Sequence, residues 1–299
     1  MKSPSEQPFS EHQLADFRSL VLLRGRDLYR DLPWRETRDP YAIWISEVML
    51  QQTQVARVDG RWQRWLERFP TAADLAAAPA ADVLDEWQGL GYNRRALAVH
   101  RAAQAVAGEC GGVIPSDTRE LTELPGIGPA TAAGIRAFAF NLHSVYLETN
   151  VRAVMLHELF SRRDAVPDRE LIPLVDVTCP ADAPAEASVP DADDPRTWYY
   201  ALLDYGAYLK RTVPNPSRRS AGHTRQSRFE GSHRQKRAEV VRVLLANREG
   251  MSEADVAAAL SAAEKSAGRA CVSAADVNAL LAELASEGFC HNENGAWLV

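Results

Sequence analysis

The chain has little thiol chemistry to offer. Its four cysteines, Cys110, Cys179, Cys271 and Cys290, lie far apart and form no Cys-x-x-Cys pair. That spacing excludes the usual cysteine-built zinc or iron–sulfur site and implies no disulfide framework. Long apolar runs are also missing. No stretch approaches the ~20 residues that span a bilayer. The opening residues Met1-Lys2-Ser3-Pro4-Ser5-Glu6 have no signal-peptide core, so a cytoplasmic protein without a membrane partner is expected. Sustained period-2 alternation is absent ahead of the C-terminal segment, which leaves the first two-thirds to read as all-α. A general positive charge is lacking as well, the net charge being −6 at pH 7.

That negative total is unevenly spread. From Lys210 to Arg237 nine basic residues face the single acid Glu230, so this stretch carries about +8 and the remainder about −14. A polyanion would be accepted there and repelled elsewhere. Residues 239–299 carry nine acids against four bases, the reverse of what a DNA-reading module needs. At 299 residues, 46% of them hydrophobic, the chain is long enough for two or three domains with separate cores.

Leu14, Phe17, Leu20, Val21 and Arg24 fit a first helix. A second begins at Asp39-Pro40, a capping side chain followed by a residue without the N–H that a first turn cannot use. Helical patterns with short breaks then run to about Phe140. Residues Pro180 to Pro195, rich in Pro, Ala and Asp, read as a mobile acidic loop. Helical pattern resumes at Trp198. After Arg237, three helical patterns and two short strands around Asn294-Gly295 look like a winged helix.

Three strings carry the chemistry. In Ile43-Trp44-Ile45-Ser46-Glu47-Val48-Met49-Leu50-Gln51-Gln52-Thr53, Glu47 shares a helix face with Ile43, Leu50 and Gln51. A lone Glu in such company most often turns its head to solvent. If it stays desolvated, its pKa rises and it can hold a proton near neutrality, as a general acid must. In Leu124-Pro125-Gly126-Ile127-Gly128-Pro129-Ala130-Thr131, Asp117 and Glu120 cap a short preceding helix, two glycines make a tight turn, and Pro129 opens the next helix. N–H groups at such a helix start attract an anion, and the string resembles the helix-hairpin-helix motif that grips a phosphate without reading sequence. In Leu147-Glu148-Thr149-Asn150, Thr149 or Asn150 is the expected cap of the following helix, which leaves Glu148 for another task.

Together with Leu32-Pro33-Trp34-Arg35 and Gly89-Leu90-Gly91-Tyr92, these strings resemble the helix-hairpin-helix glycosylase superfamily, and most of all its MutY-type adenine DNA glycosylases, over roughly Leu32 to Leu209. The resemblance implies base-excision repair of adenine mispaired with guanine or 8-oxoguanine in double-stranded DNA. It implies that Glu47 protonates the adenine at N7, that Arg35 and Asn150 support the site, that Gln52 and Tyr92 wedge into the helix around the flipped nucleotide, and that Gln51 binds DNA beside them. Leu90 would lie at the opposite guanine, while Gly126, Ile127, Gly128, Ala130 and Thr131 would hold the backbone. A base inside a duplex must leave the stack to be cut, and a wedge must fill the gap.

The chain departs from that family at four places. Glu148 stands where an Asp is usual, moving the carboxylate by roughly 1 Å. Ala130 occupies the position of a Schiff-base Lys in endonuclease III-like relatives, which favours a monofunctional glycosylase over a lyase. The usual four-cysteine iron–sulfur cluster is replaced by a basic segment without cysteine, in which Arg218, Arg219, Arg225 and Arg228 are expected to contact DNA. The usual Nudix-like C-terminal domain is replaced by the winged-helix pattern, which is expected to pack on the core or recruit a protein. The expected architecture is an all-α, two-lobed core plus a small α+β module: residues 1–30 and 141–209 form one lobe, 31–140 the lobe with the hairpin, 210–237 the basic segment, and 238–299 the module. A monomer without metal or cofactor is expected. The competing readings are excision of a different mismatched or damaged base and a catalytically silent DNA-binding protein.

Overall fold

A computed structural model describes residues 9–186, 193–224 and 228–299. Helices dominate. In chain order they are α1 (Glu11–Asp27), α2 (Pro40–Leu50), α3 (Val55–Val58), α4 (Arg61–Arg68), α5 (Ala72–Ala77), α6 (Ala80–Glu86) and α7 (Arg94–Glu109). There follow α8 (Thr118–Glu123), α9 (Pro129–Phe140), α10 (Thr149–Glu158), α11 (Asp168–Thr178), α12 (Pro195–Thr212), α13 (His233–Ala246), α14 (Glu253–Ser266) and α15 (Ala274–Glu287). The expected starts are where their chemistry puts them. Asp39 accepts from the amides of Tyr41 and Ala42 at 3.1 and 3.3 Å ahead of α2. Asp117 accepts from Arg119 and Glu120 at 2.8 and 3.1 Å ahead of α8.

The chain divides into two compact units, each drawn from separated stretches. The first takes Met1–Glu47, Ile114–Glu123 and Ile127–Arg225; the second takes Val48–Val113, Leu124–Gly126 and Gln226–Val299. The cut therefore differs from the expected ranges 1–30, 31–140 and 141–209. The reason lies in the packing of α9, whose Phe138 stacks on Tyr200 at 4.7 Å and meets Tyr146 edge-on at 5.4 Å. Those aromatic contacts tie the second hairpin helix to α12 within the first unit.

In the first unit α12 is the central element. A Cβ at Gly25 of α1 would lie 2.3 Å from the Ala201 Cβ, and one at Gly206 would lie 2.3 Å from the Asn150 carbonyl oxygen. Two glycines thus let α1 and α10 approach α12 more closely than any side chain permits. The C-terminus of α9 is closed by Asn141, left-handed at φ +56, and by Arg196, which donates to the carbonyls of Phe138 and Ala139. Of the stretch expected to be a loose acidic loop, residues 187–192 lie outside the described residues. Its described flanks are tied: Asp182 accepts from the His143 amide at 2.7 Å, and Asp194 caps α12 through the Thr197 amide at 2.8 Å.

The second unit is built around Trp65, wedged between Phe69 and Trp87 at 5.1 and 5.5 Å. It also contains the C-terminal module. Besides the three helices and the hairpin, a short strand β1 (Met251–Ser252) pairs with β3 (Ala296–Leu298), which pairs in turn with β2 (His291–Glu293), giving an antiparallel order β1-β3-β2. Asn294 and Gly295 both adopt positive φ at the hairpin turn. The module begins earlier than expected, because His233–Arg237 form the first turns of α13. Its charges are engaged by the helices of the same unit: Glu287 takes Arg94 at 2.7 Å and Arg237 at 2.6 Å, and Arg248 pairs with Asp82 and with Asp85 at 3.2 Å.

Candidate active site

The acid carried by α2 is held inward by a hydroxyl of the same unit. Glu47 is half-buried, and its Oε2 accepts from the Tyr146 hydroxyl at 2.9 Å. Room for the carboxylate exists only because residue 134 is a glycine: a Cβ there would lie 2.3 Å from Oε2. Burial pushes the Glu47 carboxyl up to about 7; the Tyr146 hydrogen bond opposes the rise and the charge of Glu148 adds to it. The Tyr146 phenol is itself raised well above its ordinary value by burial and by the two carboxylates, so it remains a donor. An acid of this kind is half-protonated near neutrality, which is what proton delivery to a leaving group requires.

Glu148 corrects the expectation that Thr149 or Asn150 would cap α10. Its own Oε1 accepts from the amides of Asn150 and Val151, at 2.5 and 3.0 Å. Burial raises its pKa, while the Val151 amide, the charge of Lys210 and Asn150 oppose the rise. Lys210 lies one turn beyond Gly206 on α12, and Gly206 abuts the Asn150 backbone. Two carboxylates in one unit therefore have unequal company. Glu47 has one neutral donor and a like charge, whereas Glu148 has two backbone donors, a helix N-terminus and a cation. The proton belongs on Glu47 and the charge on Glu148.

Asn150 contributes a further polar atom, since its Oδ1 is buried without a protein partner. Arg35 sits elsewhere in the network. Its Nη1 and Nη2 each donate to Asp204 at 2.8 Å, and its guanidinium lies 4.4 Å over the Tyr200 ring. Arg35 thus acts on α12 and the aromatic cluster through Asp204 and Tyr200.

The residues expected to meet DNA fall into two groups. In the first, Gln52 and Tyr92 are exposed and left-handed, at φ +51 and +52, and Gln51 is half-buried. Gly126 is left-handed and presses on Ala98, Gly128 has open space around it, and Ala130 is exposed. In the second group the side chains are committed inward. Leu90 is only 2% exposed, and Ile127 and Thr131 are buried. The Leu90 expectation is thereby corrected: this side chain belongs to the core beneath the turn. Arg218 is exposed, Arg228 pairs with Glu230 at 3.4 Å, and Arg225 lies outside the described residues.

Arg219 is not a surface cation. Its Nη1 donates to the carbonyls of Phe160 and Ser161 at 2.7 and 3.0 Å, and its Nη2 to Leu156 at 2.6 Å. The backbone beside it is bonded to Val166 on both sides, through Val166 N to Arg219 O and Ala221 N to Val166 O. The segment after α12 is thus stapled to the end of α10 by a guanidinium.

Known proteins resemble this arrangement. Residues 45–181 match the HhH-GPD superfamily of base excision DNA repair proteins. An adenine DNA glycosylase of Mycolicibacterium smegmatis is 36% identical over 232 residues, covering 72% of this chain and 75% of that protein. The chain belongs to the adenine DNA glycosylases. Those of Mycobacterium tuberculosis and Homo sapiens are 44% and 38% identical over 46% and 49% of this chain, spanning 45% and 30% of their own lengths. Among solved structures, a thermostable thymine-DNA glycosylase aligns at TM-score 0.56 and 23% identity over 66% of this chain and 87% of its own. An endonuclease III in a non-covalent DNA complex aligns at 0.54 and 20% over 68% and 87%. At those identities the likeness is one of fold.

A four-cysteine cluster, usual among adenine glycosylases, does not fit the residues present. No cysteine stands between Lys210 and Arg237. Among the described residues, no group of three or more His, Cys, Asp or Glu could hold a metal ion.

Sequence reasoning missed Tyr146, Gly134, Lys210 and Asp204. Their partners are distant in the chain, so no local spacing announces them.

Proposed function

We propose that this chain is a monofunctional glycosylase that hydrolyses the N-glycosidic bond of adenine mispaired with guanine or 8-oxoguanine. The observation that carries the reading is the unequal pair, Glu47 on the Tyr146 hydroxyl and Glu148 at the start of α10. Glu47 delivers its proton to the extruded adenine at N7, and the C1′–N9 electron pair leaves with the base. Anionic Glu148 balances the positive charge that develops on the sugar. Water then adds to C1′ and gives its proton to the Glu47 carboxylate, which restores the acid, and the unpartnered Oδ1 of Asn150 is suited to accept a hydrogen bond from that water. Ala130 supplies no amine for a lyase step.

Double-stranded DNA is the partner. The turn at Gly126 to Gly128 and the first turn of α9 take a backbone phosphate, Gln52 and Tyr92 fill the vacated stack, and Arg218 adds charge. The acidic C-terminal module, engaged by arginines of its own unit, serves as a structural brace or a protein-docking element and not as the DNA reader. The enzyme works as a monomer on cytoplasmic DNA without a metal. Among the described residues no helix is long and apolar enough to cross a membrane.

Single-turnover excision on adenine:guanine and adenine:8-oxoguanine duplexes, with alkaline cleavage of abasic product, tests the assignment. Glu47→Gln keeps size and polarity but cannot donate an acidic proton, so excision should fall about 10²- to 10⁴-fold with DNA affinity nearly unchanged. Wild-type turnover by this variant would remove Glu47 from the mechanism. Adenine left intact by the wild type, with another base released, would move the substrate assignment while keeping the chemistry.

A further inference from the structure

In the second unit a polar network of six hydrogen bonds surrounds Arg95, at the start of α7. Its Nη1 donates to the carbonyls of Val48, Met49 and Gln51 at 2.7, 3.3 and 2.6 Å. Its Nη2 donates to the Thr53 hydroxyl at 3.2 Å and to the carbonyls of Leu90 and Gly91 at 3.2 and 3.0 Å. All six acceptors are neutral. The first set belongs to the end of α2 and the turn after it, the second mostly to the turn before α7. One guanidinium therefore joins two turns that are about forty residues apart in the chain.

Each of those turns ends in a residue under conformational strain. Gln52 and Tyr92 are left-handed without being glycine, a costly state for a residue with a side chain that persists only when its surroundings enforce it. The enforcement is visible. Arg95 holds the carbonyl preceding each strained residue, Gln51 O on one side and Gly91 O on the other. The Thr53 hydroxyl lies 3.1 Å from Gln51 O and 3.4 Å from Leu90 O, and the Trp87 indole holds Gly91 O at 3.0 Å. Tyr92 completes the arrangement by laying its ring 5.3 Å from the Arg95 guanidinium. A Lys could neither fork to six acceptors nor keep this planar stacking.

We propose that Arg95 is a positioning residue for base extrusion: it clasps the two turns so that Gln52 and Tyr92 stand at a fixed spacing, ready to replace the nucleotide that leaves the stack. This rests on the wedge role given to Gln52 and Tyr92 in the proposed function. It separates two steps, because Arg95 governs how fast the base leaves the helix and has no part in breaking the glycosidic bond. The strained turns are pre-formed, so the protein meets DNA without first reorganising them.

The test uses the full chain, Arg95→Lys and Thr53→Val, with 2-aminopurine at the target position to report extrusion and single-turnover kinetics to report excision. On a fully stacked mismatch, Arg95→Lys should slow both signals about 10- to 100-fold, the scale of a misplaced positioning group. On a target adenine opposite an abasic gap, where the base is already loosely stacked, excision should stay within about threefold of wild type. The pH at which excision falls away should not move. Thr53→Val should shift the stacked substrate in the same direction by a smaller factor, and it decides the matter if circular dichroism finds Arg95→Lys unfolded. Equal losses on both substrates, or none on the stacked one, would overturn the clasp. A wild type that extrudes and excises nothing would instead remove the reading beneath it.

Discussion

Glu47 ends the apolar face of α2 with a tyrosine hydroxyl for company, whereas Glu287, at the end of α15, lies between Arg94 and Arg237. Burial pushes the first carboxyl up to about 7, and the two arginines hold the second down to about 2. One residue type thus spans the acid range according to what surrounds it. In the first unit Asp204 has two arginines, Arg30 and Arg35, while Glu47 has only a neutral hydroxyl donor, and that is the setting in which a carboxyl keeps its proton. The second unit gives its carboxylates arginines and obtains cohesion between the C-terminal module and the helices of residues 48–113.

The two sites also depend on pH with opposite sign. Glu47 ionises in the fold at a value above its ordinary 4.5. Its contribution to stability is full below 4.5 and is lost as pH rises through about 7. Glu287 ionises below its ordinary value, so its contribution is full above 4.5 and is lost as pH falls toward 2. A rise in pH from 4.5 to about 7 therefore loads the first unit, while a fall from 4.5 to about 2 loosens the second.

Three substitutions press on this contrast. The largest effect belongs to Glu148→Gln, which removes the anion that the proposed function sets against the developing sugar cation. Single-turnover excision should drop about 10²- to 10³-fold with binding retained, and a loss below tenfold would return Glu148 to a purely capping role. Tyr146→Phe should act more gently. The hydroxyl lowers the Glu47 pKa, so its removal should move the alkaline limb of the rate profile upward from about 7 with a loss on the order of tenfold; a downward shift would reverse the assigned donor. Glu287→Gln should leave excision at neutral pH unchanged yet lower stability by about 1 kcal/mol in denaturant melts at pH 7. That difference should shrink as pH falls from 4.5 toward 2, and a constant difference would detach the arginine contacts from stability.

Much of this was legible in the chain itself. Asp39-Pro40, Asp117 and Gly128-Pro129 mark helix starts by local rules, and the Ser-Glu-Val-Met-Leu-Gln-Gln-Thr string with Leu-Pro-Gly-x-Gly identifies the superfamily. The winged-helix order was readable from helical periodicity and the Asn294-Gly295 turn, although β1 was not. Two residues cannot declare a strand, and β1 exists only because β3 supplies its partner. The acid pair was half legible. Glu47 could be named, but Tyr146, 99 positions away, and Gly134, whose missing side chain makes the space, depend on tertiary approach. The arginines were the least legible of all. Charge counting treats Arg219, Arg95 and Arg228 alike, yet carbonyl groups consume the first two, and only geometry distinguishes a cation that faces solvent from one that serves as a backbone cap.

The staple at Arg219 has a consequence for how the protein endures stress. Guanidinium-to-carbonyl bonds hold no electrons to give up and no ion to surrender. Peroxide, chelators and iron starvation offer this closure nothing to attack. The closure between the end of α10 and the segment that follows α12 depends on neither the redox state of a thiolate nor the supply of a metal ion.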